Sequence, residues 1–169
     1  MSVADGVLEL LFSGSREVWE PAGRSLACAA AAALVAAPVG IPVGLALGLG
    51  RGRWRRPLRA VVDGGLAVPT TAIALVCYLL LSRRGWFGDA GLLFTPTAIV
   101  IGQTFVALPV LVILTADAAG ALEPRVHWTA RTLGASRVRR LWWYAGEIRA
   151  SLLAAFLTAF GRAAGELGV

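Results

Sequence analysis

Residues 25–50 read SLACAAAAALVAAPVGIPVGLALGLG, a run without a single charge. A bilayer core of about 30 Å is crossed by about 20 apolar residues in helical form, so this stretch alone is long enough to span one. Pro38 and Pro42 interrupt it. A helix packed among neighbours tolerates such prolines, because nearby groups re-satisfy the freed carbonyls. Working outward, three further apolar runs follow: residues 61–81, with Asp63 near one end; residues 96–116, uncharged throughout; and residues 150–169, which contain Arg162 and Glu166. The pattern predicts an all-α transmembrane protein with about four membrane-spanning helices.

Composition agrees. Of 169 residues 57% are hydrophobic and 15% charged, with a mean hydropathy of +0.72. A soluble domain sits nearer half apolar and a quarter charged. The charges here are clumped between the apolar runs, and a soluble fold of this length has no interior large enough to hide those runs. Net charge is +6, carried by sixteen arginines and no lysine. A basic balance can signal nucleic-acid binding, but arginines placed between apolar runs are the mark of cytoplasmic membrane loops. No nucleic-acid partner is expected; membrane lipid is. Without lysine no phosphate-binding loop of the GxxxxGK[ST] type can be built, so ATP hydrolysis in this chain is not expected.

No catalytic or metal site is predicted. His127 is the one histidine, and Cys28 and Cys77 lie inside apolar runs as small buried hydrophobes. A membrane-embedded enzyme would need a cluster of such groups at one depth. The first twenty residues lack a basic start and carry Asp5, Glu9, Glu17 and Glu20, unlike a cleavable signal peptide.

Arginine placement sets the orientation. Residues 51–59 hold five arginines and the connection at 117–149 holds six, whereas the N-terminal segment holds Arg16 and Arg24 and the loop at 82–91 holds Arg83 and Arg84. The two rich connections are therefore expected in the cytoplasm, with residues 1–24 as an external tail and residues 25–169 as the membrane domain. Trp86, Phe87, Trp142, Trp143 and Tyr144 fall where an interfacial aromatic belt belongs.

The connection at 117–149 is too long for a turn. Pro124 after Glu123 suits a helix start, Val126, Ala130 and Leu133 repeat at helical spacing, Gly134 suits a left-handed end, and Ser136 can cap a second helix. In that second helix Val138, Leu141, Trp142 and Ala145 share one face, and Arg137, Arg140, Tyr144 and Glu147 another. Two readings stand side by side: an interfacial helix on anionic lipid, or a docking element for a soluble partner.

Polar residues inside membrane spans are costly and often functional. Pro69, Thr70 and Thr71 in the second run, Gln103 and Thr104 in the third, and Arg162 and Glu166 in the fourth are the candidates for a translocation path. The competing reading for each small polar group is interhelical hydrogen bonding; for Arg162 and Glu166, an i,i+4 ion pair; for Asp63, a paired acid at the interface.

The stretch ARTLGASR at 130–137 resembles the cytoplasmic coupling loop of ABC importer permeases. YLLLSRRGWFGDAGLLFTPTAIVIGQTFVALP at 78–109 is similar to tungstate permeases, as is AAFLTAFGRAAGELGV at 154–169, where tungstate and molybdate subunits carry an FGRAxxE-type segment. The resemblance covers most of the chain from Ser25 onward. It implies that Trp128, Thr129, Ala130, Arg131, Leu133, Gly134, Ala135 and Arg137 form the loop that docks on an ABC ATPase subunit. It also implies a second permease copy, an external substrate-binding protein, and ATP and magnesium used by the ATPase rather than by this chain. The chain departs from the family pattern in carrying Trp128 and Thr129 where the loop's acidic residue and first alanine stand, and the usual Leu-Pro ending is replaced around Gly146 and Glu147. Family members continue through a further span, so a C-terminally truncated form is expected. The expected function is a tungstate permease in a bacterial or archaeal cell membrane, multi-pass, with its N-terminus outside. The alternatives are a molybdate or sulfate permease, or a shortened membrane protein that does not conduct.

Overall fold

The first uncharged run folds as one long helix, α1 (Arg16–Leu49), in a computed structural model that describes residues 16–50, 52–123, 125–126 and 136–166. α1 begins within the segment expected as a tail and carries Pro21, Pro38 and Pro42 inside it. The third run forms α4 (Pro96–Gly120), whose start is set by chemistry that a sequence can show. Thr95 accepts a hydrogen bond from the Ala98 amide at 3.4 Å, and Pro96 sits where a helix needs no donor.

α1 and α4 lie side by side and run the same way. Gly40 faces Leu111, Gly44 faces Thr115, and Gly48 faces Ala119. A Cβ at Gly44 would come within 2.6 Å of the Thr115 Cβ, and one at Gly48 within 2.5 Å of the Ala116 carbonyl oxygen. Glycines four apart remove the side-chain layer between two helices, which lets their backbones touch where lipid supplies no hydrophobic drive.

α6 (Arg149–Gly165) packs against both helices in the opposite sense. Ala155 and Ala159 join Ala36, Ala107 and Leu111 in one cluster, and Ile148 joins Leu45 and Ala119 in another. Residues 50, 120 and 148 therefore share one end of the bundle. α5 (Arg137–Glu147) leads into α6 at that end, and Ser136 accepts from the Arg139 amide as the expected cap. α5 is turned differently from the expected grouping of faces. Tyr144 is buried with Ile148, while Trp142 is 76% exposed, because the ring of Tyr144 rather than the indole of Trp142 falls on the side that meets the bundle.

The second run departs most from expectation. It starts earlier, as α2 (Arg55–Leu66), stops at Ala67, and resumes as α3 (Thr70–Leu81) after a bend of 94°. Pro69 stands at the start of α3 with φ −59° and ψ 135°. The residue before a proline is pushed out of the helical region, and Val68 is where the first helix has already ended. By length and composition α1 and α4 can cross a membrane, and α2 with α3 makes a third span only if the bent pair counts as one. Two or three spans are thus found among the described residues, where about four were expected. α6, at 17 residues, reaches about 25 Å, short of a full crossing within the described residues. Every element among the described residues is helical.

Candidate functional site

The break between α2 and α3 gathers part of the predicted polar set. Thr70 opens α3 and shares a crevice with Gly65, Leu66, Val68, Ile73, Val106 and Arg162. Arg162 reaches it from α6 and pairs with Glu166, Nη2 to Oε1 at 3.4 Å, with its side chain 48% exposed and that of Glu166 20%. The crevice encloses only about 10 Å³, about the least that holds one water, so no oxyanion fits it in this conformation. Pro69 and Thr71 are exposed on the outer side of the break and take no part in that wall.

Gln103 and Thr104 serve differently. Gln103 is 5% exposed, and its Nε2 donates to the Ala163 carbonyl at 3.3 Å, which ties α4 to α6 one residue from Arg162. Its Oε1 has no protein partner. Thr104 Oγ1 donates to the Val100 carbonyl at 2.6 Å and approaches the Ala32 carbonyl of α1 at 3.5 Å. Thr104 therefore spends its one hydroxyl hydrogen mainly within α4, in close approach to α1, whereas Gln103 ties α4 to α6 and keeps a spare acceptor.

Alongside, α1, α3 and α4 enclose a groove of about 440 Å³ lined by Val39, Val43, Val76, Cys77, Phe105 and Pro109 among others. Its walls are apolar and offer an anion no donor. Cys77 is buried there as a small hydrophobe.

At the arginine-rich end, Arg59 of α2 donates to Asp117 of α4 at 2.5 Å, with Asp63 within 3.8 Å of its Nε. Asp63 is thus a paired acid, though the stronger partner is Asp117. That pairing joins residues 58 apart in sequence and was missed by sequence reasoning. The available signal was Asp117 itself, the acid that closes the long uncharged run. Of the expected docking loop, Trp128, Thr129, Ala130, Arg131, Leu133, Gly134 and Ala135 lie outside the described residues, and Arg137 opens α5. On either side of that loop, Arg125 and Val126 and then Trp143, Gly146 and Glu147 line a groove of about 420 Å³.

The described residues form a helical bundle with a sharply bent helix pair and an arginine-rich end that carries a long connection. Residues 40–168 match the model of the binding-protein-dependent transport system inner membrane component, and the chain belongs to that family. Relatives include the tungstate uptake system permease protein TupB of Campylobacter jejuni, 31% identical over 68% of this chain and 48% of that protein. TupB of Peptoclostridium acidaminophilum is 32% identical over 69% of this chain and 51% of its own length. The molybdenum transport system permease protein ModB of Mycobacterium bovis is 32% identical over 70% and 47%. The chain spans about half the length of the curated relatives it matches. The family is one of transport subunits rather than enzymes, and its members are inner membrane components.

Proposed function

We propose that this chain is the membrane-spanning permease subunit of an ATP-driven oxyanion importer, with tungstate as its substrate. The match to the transport family over residues 40–168 carries the reading; relatives named for tungstate and for molybdenum stand at similar identity, and the resemblance of residues 78–109 to tungstate permeases favours tungstate. Two copies form the path between them, a soluble binding protein delivers the anion from outside, and a separate ATPase docks at residues 128–137 and uses ATP with magnesium. Arg162 and Thr70 wall the path at the α2–α3 break. The Arg162–Glu166 pair supports this role: a cation partly neutralised by its own carboxylate attracts an anion without holding it, and passage requires binding weak enough for release. The crevice is closed as described, so opening requires α3 to swing from α6.

Tungsten accumulated by cells carrying this chain with its partner subunits, with molybdate or sulfate in excess, tests the proposal. Uptake should exceed that of cells lacking the chain, and tungstate should outcompete the others. Arg162→Gln should lower it about tenfold, the loss expected for one charge-assisted hydrogen bond, with the amount of assembled complex unchanged. Equal uptake with and without the chain overturns the assignment. For the docking loop, Gly134→Trp should reduce the ATPase recovered with the purified chain, and unchanged recovery would remove that loop from the account.

A further inference from the structure

α2 is lightly anchored. None of its side chains is buried, and Leu58 and Val61 stand exposed on it. Its inner face meets the α1–α4 pair at Val62, which packs on Leu47, Val112 and Ala116, and at Gly65, whose would-be Cβ lies 3.5 Å from that of Pro109. Gly52, in open space, precedes it, and the corner at Ala67 to Pro69 follows it. An element with few buried apolar contacts opens at a low cost in free energy.

Arg59 is a charged link from this helix to α4. Its Nη2 donates to Asp117 Oδ1 at 2.5 Å, while its Nε stands 3.8 Å from Oδ2 of Asp63, one turn further along α2. One guanidinium is thus offered two carboxylates. At that separation Asp63 is within ion-pair reach but beyond a hydrogen bond. The two acids differ in what they require. Residues four apart on a helix are neighbours on its surface, so Asp63 can take the guanidinium wherever α2 lies. Asp117 can take it only while α2 lies against α4. The side chains of Arg59, Asp63 and Asp117 are 37%, 50% and 51% exposed, and an ion pair so open to solvent adds little to stability. It is suited to bias a balance between two positions rather than to hold a fold together.

We propose that Arg59 is a latch with two stations: hydrogen-bonded to Asp117 it clamps α2 onto α4, and handed to Asp63 it frees α2 to lift from the α1–α4 pair. The second station lowers the cost of release, because the guanidinium is never left without a carboxylate. Asp117 stands three residues before the end of α4 at Gly120, where the long connection begins, so a pull on that connection bears on the clamped station. The latch itself does not depend on a cargo. Its use does rest on the transport reading: α2 freed at Arg59 lets α3 carry Thr70 away from Arg162, with which it walls the crevice.

The purified chain in nanodiscs, carrying Cys28→Ala and Cys77→Ala, gives the test. Val62→Cys reports release, since that position is partly covered while α2 lies on Leu47, Val112 and Ala116. Leu58→Cys, at an exposed position, reports the reactivity of a thiol beside the same charges. The quantity read is the ratio of their reaction rates, Val62→Cys over Leu58→Cys, with an uncharged methanethiosulfonate. Asp117→Asn should raise that ratio by up to about fivefold, the range of a solvent-exposed ion pair. Asp63→Asn should lower it, because the released position loses its acceptor. In an Arg59→Gln background neither change should move it. A purely structural tie predicts a rise or no change for Asp63→Asn, and either result overturns the proposal. So does an unmoved ratio in Asp117→Asn, or an effect that survives Arg59→Gln. Unchanged helical circular dichroism separates release from misfolding, and Asp63→Asn, which leaves the bond to Asp117 in place, decides the matter should Asp117→Asn fail to fold. No uptake enters this measurement, so the latch and the transport reading stand or fall separately.

Discussion

At the level of single residues, Gly44 and Gly48 have little freedom to change within the α1–α4 contact. Each sits where an added methyl would strike backbone of α4: the Val112 carbonyl oxygen at 2.7 Å from the one, the Ala116 carbonyl oxygen at 2.5 Å from the other. Backbone cannot step aside as a flexible side chain can, so the helices must part, and the contacts around buried Thr115 go with them. Gly44→Ala and Gly48→Ala should each cost about 1–3 kcal/mol, the range for overpacking a close-fitted interface. Thermal unfolding in detergent, followed by circular dichroism, checks this. Gly161→Ala in α6 provides the contrast, since nothing lies within 4 Å of its would-be Cβ. Its melting temperature should hold or rise, because alanine is the better helix former. A drop at Gly161 as large as that at Gly44 would dissolve the argument from close approach.

Among the elements, α2 and α3 separate what sequence reveals from what it hides. The uncharged runs of α1 and α4 announce themselves, because hydropathy is a sum over residues and lipid responds to that sum. Ser136 was equally legible, fixing a helix start by local chemistry, and Thr95 with Pro96 does the same for α4, though the sequence reading took only the apolar run there. The corner at Ala67 to Pro69 was not. Its residues are as apolar as those around them, so a window average passes over it, and a proline inside a span is as compatible with continuation as with a break; Pro38, Pro42 and Pro109 all lie within unbroken helices. The α2–α3 pair therefore gives a measurable distance. Spin labels replacing Leu58 and Leu79 would stand about 32 Å apart along one straight helix, at 1.5 Å per residue, and about 21 Å apart across a right-angled corner. Double electron–electron resonance should return the shorter value.

Taken whole, the polar candidates were legible as residue types but not as a site. Thr70 and Arg162 are far apart in sequence, and their meeting depends on the corner and on α6 running against α4. Gln103 and Thr104 looked alike on paper; the structure gives one a spare acceptor and the other two carbonyls. The glycine spacing at 40, 44 and 48 was in plain view and points directly to the α1–α4 contact, yet charge and hydropathy do not register it. Orientation is the property of the whole that an experiment can read most simply. A membrane-impermeant maleimide should label Trp86→Cys in intact cells and reach Arg53→Cys only after the membrane is opened, since the richer arginine cluster stays inside. Equal labelling at both positions in sealed cells would reverse the topology.

The glycine seam also limits what can move. Two rods that touch backbone to backbone over three successive turns cannot slide by less than a full notch without collision, and packed interfaces switch between discrete fits rather than deform smoothly. α1 and α4 therefore behave as a single keel. On the proposed transport reading, rocking that moves an anion would pivot around that keel, at the corner beside Pro69 and along the alanine face of α6.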